Sequence, residues 1–561
     1  MKRRSLALLL FIITAFVLVG AGGGLAKPKP KKPKRLTPAA YLAKIRHVVV
    51  IYEENHSFDN LYGAWEGVNG RTKATPAHTT QVNQGGTPYT CLMQLDVNLT
   101  APPLTPDCTD STTGTTFTSH FTNNPFVIDT FIPSSATTCP PPAEAFSHPN
   151  GVLNGQGLPG GCTRDLVHEF YQEQYQLNDG NQNRYVTGSD SAGTSMGVYN
   201  TRLLPVYRFL HARNHPRYAI ADNFFQSAFG GSFLNHQWLI AAATPTYPNP
   251  PATLRSIIDS NGMPVKYPLY NPTGPVRRGP ITVACPSPVA NRACGDFAVN
   301  TMQPTSEPFG LFGAKLIPQT GATIGDRLTA KGVDWAWYSG GWSNAAGEIN
   351  APGWTNGSGP TCSDPNADPA FKYPKCPDRV FQFHHQPFVY YANYAVGGSG
   401  RSHLRDEAEF LQQARTTTAK SCKLKPVSFV KPLGEENEHP GYASTPNGED
   451  HLVTLLRAVW RGACKKNTMV VVTYDEFGGQ WDHVTPPGQG GKAGPHDQFG
   501  PGTRIPALVI SPNLRSPFVV DHTQHDTTSI LATIEHHWKV APLGSRDAAV
   551  KDLSSVYAAK P

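Results

Sequence analysis

The stretch VVVTYDEFGGQWDHVTPP, Val470 to Pro487, runs an apolar, β-branched segment straight into two adjacent carboxylates. Valine and threonine favour strands, and a short, continuous apolar run reads as a parallel strand covered on both faces. Asp475 and Glu476 then stand side by side, where like charges repel by about 4 kcal/mol at 4 Å in a partly buried setting. Two further runs have the same character, HVVVIY (His47 to Tyr52) and IPALVIS (Ile505 to Ser511). Helical periods lie between and around them in TRLLPVYRFLHARN (201–214), GEDHLVTLLRAVWRGA (448–463) and DTTSILATIEHHWKV (526–540). Strands alternating with helices predict a doubly wound α/β protein with a mostly parallel sheet. Because the strands come from opposite ends of the chain, the sheet is expected to be one domain closed by long-range pairing.

Composition bounds the rest. At 561 residues, with 39% hydrophobic and 16% charged residues, the chain is long and apolar enough for a large core. The formal charge of +7 resides mostly in the N-terminal tract. The near-neutral body argues against a nucleic-acid partner. Residues 1–26 read as a secretory signal peptide: Lys2, Arg3 and Arg4 precede an apolar core, and small residues end at Ala26. An uncleaved anchor is the alternative, because the apolar run is nearly long enough to span a bilayer. Residues 27–42 form a basic, Pro-broken linker that could touch lipid headgroups or cell-wall polymers. Residues 43–561 are the remaining domain, with a Thr/Pro/Gly-rich insertion at about 67–161. In an exported chain ten cysteines read as disulfides. Cys285 with Cys294 and Cys362 with Cys376 are close enough to staple single loops, and Cys422 with Cys464 could close a helical excursion. Cys91, Cys108, Cys139 and Cys162 are left to pair among themselves.

In an open parallel sheet, ligands bind beyond the carboxyl ends of the strands. HVVVIY is followed there by Glu53, Glu54 and Asn55, and VVVTY by Asp475 and Glu476. A bound cation would turn their repulsion into attraction, and oxygen donors suit one hard divalent ion such as Ca²⁺, Mg²⁺ or Mn²⁺. Helix capping or pairing with arginines on a rim is the alternative.

Four segments, HVVVIYEENHSFDNLYG, ENEHPGY, TYDEFGGQWDHVTPP and GTRIPALVISP, together resemble the phosphoesterase family of bacterial, fungal and plant non-specific phospholipases C and acid phosphatases. The resemblance runs from about Ile45 to Trp538. It implies a three-layer α/β/α sandwich of the alkaline-phosphatase type with disulfide-held loop insertions. It also implies that Glu54, Asn55, Asp475 and Glu476 hold the metal ion. Ser232, in AFGGSFLNHQW, matches the family nucleophile, and His439 matches a histidine that contacts the phosphoryl or leaving group. His384 and His385 resemble a pair typical of the acid-phosphatase branch. Asp482 and His483 match the family's DHV; with Asn235 and His236 they are candidates for supporting the ligands or touching the substrate.

The chemistry of these residue types agrees. Phosphoryl transfer needs charge neutralisation, an in-line nucleophile and a proton for the leaving oxygen. Gly230 and Gly231 permit a sharp turn before Ser232 at a helix start; a plain N-cap is the other use of such a serine. Two departures stand out: Phe477 sits where relatives often carry histidine, and the nucleophile loop reads GGSFLNH. The expectation is a secreted, metal-dependent hydrolase of phosphate monoesters acting through a phosphoserine. The alternatives are a phospholipase C acting on phosphatidylcholine-type lipids and a non-catalytic surface binding protein.

Overall fold

Neighbouring residues of a strand face opposite sides of its sheet, so a strand buried at every position is covered on both faces. In the computed structural model, which describes residues 35–94, 104–131 and 165–560, the central strands meet this condition. The chain divides into residues 1–36 and 37–561, and the sheet lies in the second unit. Its strands are β1 (His47–Glu53), β2 (Tyr218–Ala221), β3 (Trp335–Ser339), β4 (Leu404–Asp406), β5 (Val427–Lys431), β6 (Thr468–Tyr474), β7 (Ala507–Ile510) and β8 (Phe518–Asp521). They lie in the order β4-β3-β5-β1-β6-β7-β2-β8. β3, β5 and β6 are buried throughout, and β1 from its second residue on. β1 runs parallel to both neighbours, with Val48 opposite Val427 on β5 and Met469 on β6.

One strand departs from the sequence reading. IPALVIS was expected to be parallel, but β7 runs antiparallel to both β6 and β2. A parallel return needs a crossover, usually through a helix, and no helix is formed between Tyr474 and Ala507. The chain therefore loops over one edge of the sheet and comes straight back. That long loop carries Asp475, Glu476, Asp482 and His483, so the reversal of β7 keeps all four at the carboxyl edge. Five strands of this sheet escaped the sequence reading, because YAIA, WAWYS, LRD, VSFVK and FVVD are short and either aromatic or polar-interrupted.

Six helices matter for the site: α1 (Phe170–Leu177), α2 (Pro205–His211), α3 (Ser232–Ala241), α4 (Glu407–Arg415), α5 (Thr445–Val459) and α6 (Thr528–Trp538). α2 is shorter than its periodic stretch because Pro205 opens it at the first turn, where a missing N–H costs nothing. α5 starts earlier than its stretch, capped by Ser444, whose Oγ accepts from Asn447 N at 3.1 Å. At α6, Asp526 Oδ1 accepts from Thr528 N at 2.7 Å. The three pairings suggested by spacing are formed, Cys285–Cys294, Cys362–Cys376 and Cys422–Cys464. Cys91 pairs with Cys108; Cys139 and Cys162 lie outside the described residues, as does the signal-peptide segment. Pro38–Leu42, read as the end of the linker, instead form a helical turn with Leu42 buried.

α5 is tied down beside the loop that carries His439. The His451 Nε2 lies 2.7 Å from Glu407 at the start of α4, and its Nδ1 lies 3.4 Å from Glu436. Burial alone would lower the imidazole pKa, but the Glu407 carboxylate, with help from Glu436, outweighs it and lifts the group to about 10. A folded pKa above the unfolded value near 6.5 contributes stability in full below pH ~6.5 and loses it as pH rises toward 10. His451→Gln should therefore be less stable than the parent at pH 6, with the gap closing by pH 10, as read by urea unfolding across that range.

Candidate active site

The ends of β1, β5 and β6 converge. β1 ends at Glu53, and Asn55 follows with φ 60° in the left-handed region, which turns the chain back toward β6. Asn55 N donates to Asp475 Oδ1 at 3.1 Å, and Glu476 N donates to the same oxygen at 2.8 Å. Gly478 N donates to Glu476 Oε2 at 2.5 Å. Gly478 has φ 61°, and a Cβ there would lie 2.2 Å from the Asn55 carbonyl oxygen, so only glycine lets these two turns touch. All four residues expected to hold a cation, Glu54, Asn55, Asp475 and Glu476, are fully buried and adjoin one another.

Their remaining oxygens carry the argument. Asn55 Oδ1, Asp475 Oδ2 and Glu476 Oε1 are buried without a hydrogen-bond partner. Glu54 Oε1 has only ionic neighbours: Lys431 Nζ, His385 Nε2 at 3.4 Å and His236 Nε2 at 3.7 Å. The orientation of the Asn55 amide follows from its neighbour. His439 Nδ1 donates to the Pro440 carbonyl at 2.6 Å, so its Nε2 accepts from Asn55 Nδ2 at 3.3 Å. Asn55 Oδ1 is thereby the free acceptor. His236 Nδ1 similarly donates to Ser232 O at 2.8 Å, which leaves its Nε2 lone pair facing the Glu54 carboxylate. Burial pushes the Asp475 carboxyl well above its ordinary range, and the Glu54 charge adds to it. Glu476 is raised in the same way by burial and then by Asp475. Lone pairs facing one another at a buried edge fit a divalent cation, and these four residues, with His236 and His385 beside Glu54, are the groups that could hold one.

Ser232 meets the same cluster. It is the first residue of α3, while Gly231 occupies the N-cap position, so the plain N-cap use does not apply. Its Oγ donates to Glu54 Oε2 at 2.9 Å. The turn before it is held from both sides. Asn235 Nδ2 donates to the carbonyls of Ala228, Gly230 and Gly231, and its Oδ1 accepts from Ala228 N, so Asn235 braces the loop rather than facing the cavity. Glu173 of α1 accepts from Gly230 N at 2.5 Å, from Gln226 Nε2 at 2.8 Å and from Thr503 N at 2.7 Å. Gly230, at φ 88°, packs so closely that a Cβ would lie 2.6 Å from Phe170 N.

A cavity of about 300 Å³ opens over Ser232. His384 and His439 line it together with Asp165, His168, Phe233 and Tyr442. His385 lies behind it, stacked on His236 with centroids 4.9 Å apart. Burial, then the charge of Lys431, lowers His384 to about 3. His439 is held well below its usual value by burial and then by His168. His168 goes the other way: burial lowers it, but Asp165 and the Leu166 carbonyl outweigh that and raise it.

Asp482 and His483 sit apart from this cluster. Arg504 Nη2 lies 3.2 Å from Asp59 Oδ1 and 3.1 Å from Asp482 Oδ2, and His483 N donates to Asp59 Oδ2 at 2.9 Å. The guanidinium already supplies the positive charge between these carboxylates. The group therefore locks the turn after Asn55 to the loop after Glu476, a brace reinforced by Ser57 Oγ donating to Trp481 O at 2.7 Å.

Three contributors were not legible in sequence. Lys431 ends VSFVK and donates to Tyr52 O at 2.9 Å as well as pairing with Glu54; the strand-end rule would have found it had the strand been recognised. His168 and Glu173 come from a segment with no distinguishing pattern. His168 Nε2 lies 3.6 Å from Glu476 Oε1, which supplies the polar neighbour that Phe477 cannot. Phe477 itself is buried, its ring 6.2 Å from that of Tyr185.

Residues 45–541 match the Phosphoesterase family. The chain is similar to Phospholipase C A of Mycobacterium tuberculosis, 24% identical over 554 aligned residues that cover 92% of this chain and 78% of that protein. It is also similar to Phospholipase C B of the same organism, 35% identical over 165 residues, covering 24% of this chain and 30% of that one. Non-specific phospholipase C6 of Arabidopsis thaliana is 29% identical over 137 residues, covering 21% of this chain and 26% of that protein.

Two outcomes are expected. Mn²⁺ at saturating concentration should raise the parent's melting temperature by a few degrees, and the double variant Asp475→Asn, Glu476→Gln should show no such rise by differential scanning fluorimetry. Arg504→Ala should cost about 3–5 kcal/mol in chemical unfolding, because it strands two buried carboxylates.

Proposed function

The chain belongs to the Phosphoesterase family and is a hydrolase acting on phosphate ester bonds, and from that premise we propose that it cleaves its substrate through a phosphoserine on Ser232. The observation that carries this reading is the Ser232 Oγ at 2.9 Å from Glu54 Oε2, at the floor of a cavity and beside three buried, unpartnered oxygens. Ser232 Oγ attacks phosphorus in line, its proton passes toward Glu54 Oε2, and the phosphorus–alkoxide bond breaks. Placement at the start of α3 sets the helix dipole toward the phosphoryl oxygens. His168, on the cavity wall and raised above its ordinary range, against burial, by Asp165 and the Leu166 carbonyl, is the group placed to give a proton to the leaving oxygen, while His439 holds the Asn55 amide in place. Water then cleaves the phosphoserine and releases phosphate. A divalent cation held by Glu54, Asn55, Asp475 and Glu476 would neutralise charge on the nucleophile and the phosphoryl group. The mixed oxygen and imidazole surroundings suit Mn²⁺ or another first-row ion as well as Mg²⁺ or Ca²⁺.

The first substrate class proposed is a phosphate monoester, supported by the serine nucleophile and the His384–His385 pair. A phospholipase C activity is the second reading, favoured by the relatives' names and by the open cavity of about 300 Å³ over Ser232. The fold is proposed to be an α/β/α sandwich of the alkaline-phosphatase type, supported by a sheet covered on both faces. Export is proposed from the N-terminal sequence and supported by disulfides such as Cys422–Cys464.

Purified protein should hydrolyse p-nitrophenyl phosphate, and chelation should suppress that turnover. Ser232→Ala should lower it by at least about a thousandfold with unchanged melting temperature. Hydrolysis of p-nitrophenyl phosphorylcholine alone would replace the monoester reading with the second one. Undiminished turnover in Ser232→Ala would remove the nucleophile.

A further inference from the structure

A loop projects from the wall of the active-site cavity and ends in bare apolar side chains. Val299, Asn300 and Thr301 line the cavity, and two residues later Gln303 forms the loop's base. Gln303 N donates to Ala314 O at 2.8 Å, and Leu316 N donates back to Gln303 O at 2.9 Å. Gln303 Oε1 accepts from Gly310 N at 2.8 Å, so both ends of the excursion and its turn are fastened. At the apex the sequence is Gly-Leu-Phe-Gly, residues 310–313; Phe312 is 85% exposed and Leu311 51%. Beside it Val396, 64% exposed, is tied on by its N donating to Ser306 Oγ at 2.9 Å. Two fastened loop tips thus hold out three large apolar side chains. At their base Lys315 carries a positive charge, its Nζ 3.2 Å from the centre of the Phe309 ring, while Lys375 is neutralised by Glu307.

We propose that Leu311, Phe312 and Val396 dock the enzyme on a phospholipid surface by inserting into the headgroup boundary, with Lys315 against lipid phosphates. The inference rests on the phospholipid reading of the function. Three side chains on two tips cannot supply the roughly 800 Å² per partner of a stable protein interface. A lipid boundary instead takes up each apolar side chain singly, while an ammonium at their base stays among the phosphates. The chain passes from the cavity-lining residues Val299 to Thr301 into the base of this loop at Gln303, which ties the docked tip to the site where a headgroup would be cleaved.

The test uses residues 27–561 and vesicles of phosphatidylcholine, whose zwitterionic surface gives the basic N-terminal tract little to bind. Co-sedimentation is compared for the parent and for the double variant Leu311→Ser, Phe312→Ser. The expected result is a loss of vesicle partitioning of at least about tenfold. Hydrolysis of lipid in vesicles should fall in parallel, while turnover of p-nitrophenyl phosphorylcholine and the melting temperature stay unchanged. Equal partitioning of parent and variant, or no binding by the parent, overturns the docking surface even if lipid in detergent micelles is cleaved. Loop-dependent binding without release of any phosphorylated headgroup upholds docking and overturns the phospholipid reading alone. A concentration-dependent dimer that the variant abolishes in sedimentation velocity overturns the proposal in favour of a second copy of the chain.

Discussion

The constraint on which the rest depends is the gathering of acid oxygens at one buried edge of the sheet. Glu54, Asp475 and Glu476 stand with the Asn55 amide where water cannot solvate them, and isolated buried charges of that kind cost several kcal/mol each. Lys431 answers one oxygen of Glu54, and Ser232 and backbone amides answer others. Asn55 Oδ1, Asp475 Oδ2 and Glu476 Oε1 receive no hydrogen bond, although His168 lies 3.6 Å from Glu476 Oε1. A divalent cation at such an edge would complete its electrostatics.

Keeping that edge together requires braces that take no part in chemistry. The left-handed turn at Asn55 and the one at Gly478 fit only when pressed against each other. Arg504, Asp59 and Asp482 fix the loops that leave those turns. On the other side, Glu173 and Asn235 clamp the turn before Ser232, so the hydroxyl arrives at Glu54 with little freedom left. Ser232 and the acid cluster come from distant parts of the chain, and their alignment is set by hydrogen bonds to the surrounding backbone. Pre-organisation of this kind lets a hydrolase spend binding energy on the transition state rather than on assembling its site.

Much of this was legible in sequence because the signals are local. An apolar strand ending in adjacent acids announces a ligand edge whatever the rest of the chain does, and β1 and β6 were read that way. Ser232 after two glycines was likewise readable as a turn into a helix. Lys431 escaped because VSFVK is too short and too mixed to declare itself a strand, although it lies beside β1 in the sheet. His168 and Glu173 escaped for a different reason: nothing near them in sequence records which loop they will meet. The direction of β7 was misread because apolar content reports burial and says nothing about whether a crossover helix precedes the strand.

The sequence by itself determined the α/β class, the disulfide spacings and the acid pairs at strand ends, because side-chain period, cysteine separation and charge adjacency are properties of neighbouring residues. Only the tertiary structure decided the reversed strand, the lysine inside the acid cluster, the histidine beside Glu476 and the exposed apex at Leu311 and Phe312. Each of these is a relation between residues far apart in the chain, and its energy exists only once the fold has brought them within a few ångströms or turned them out to solvent.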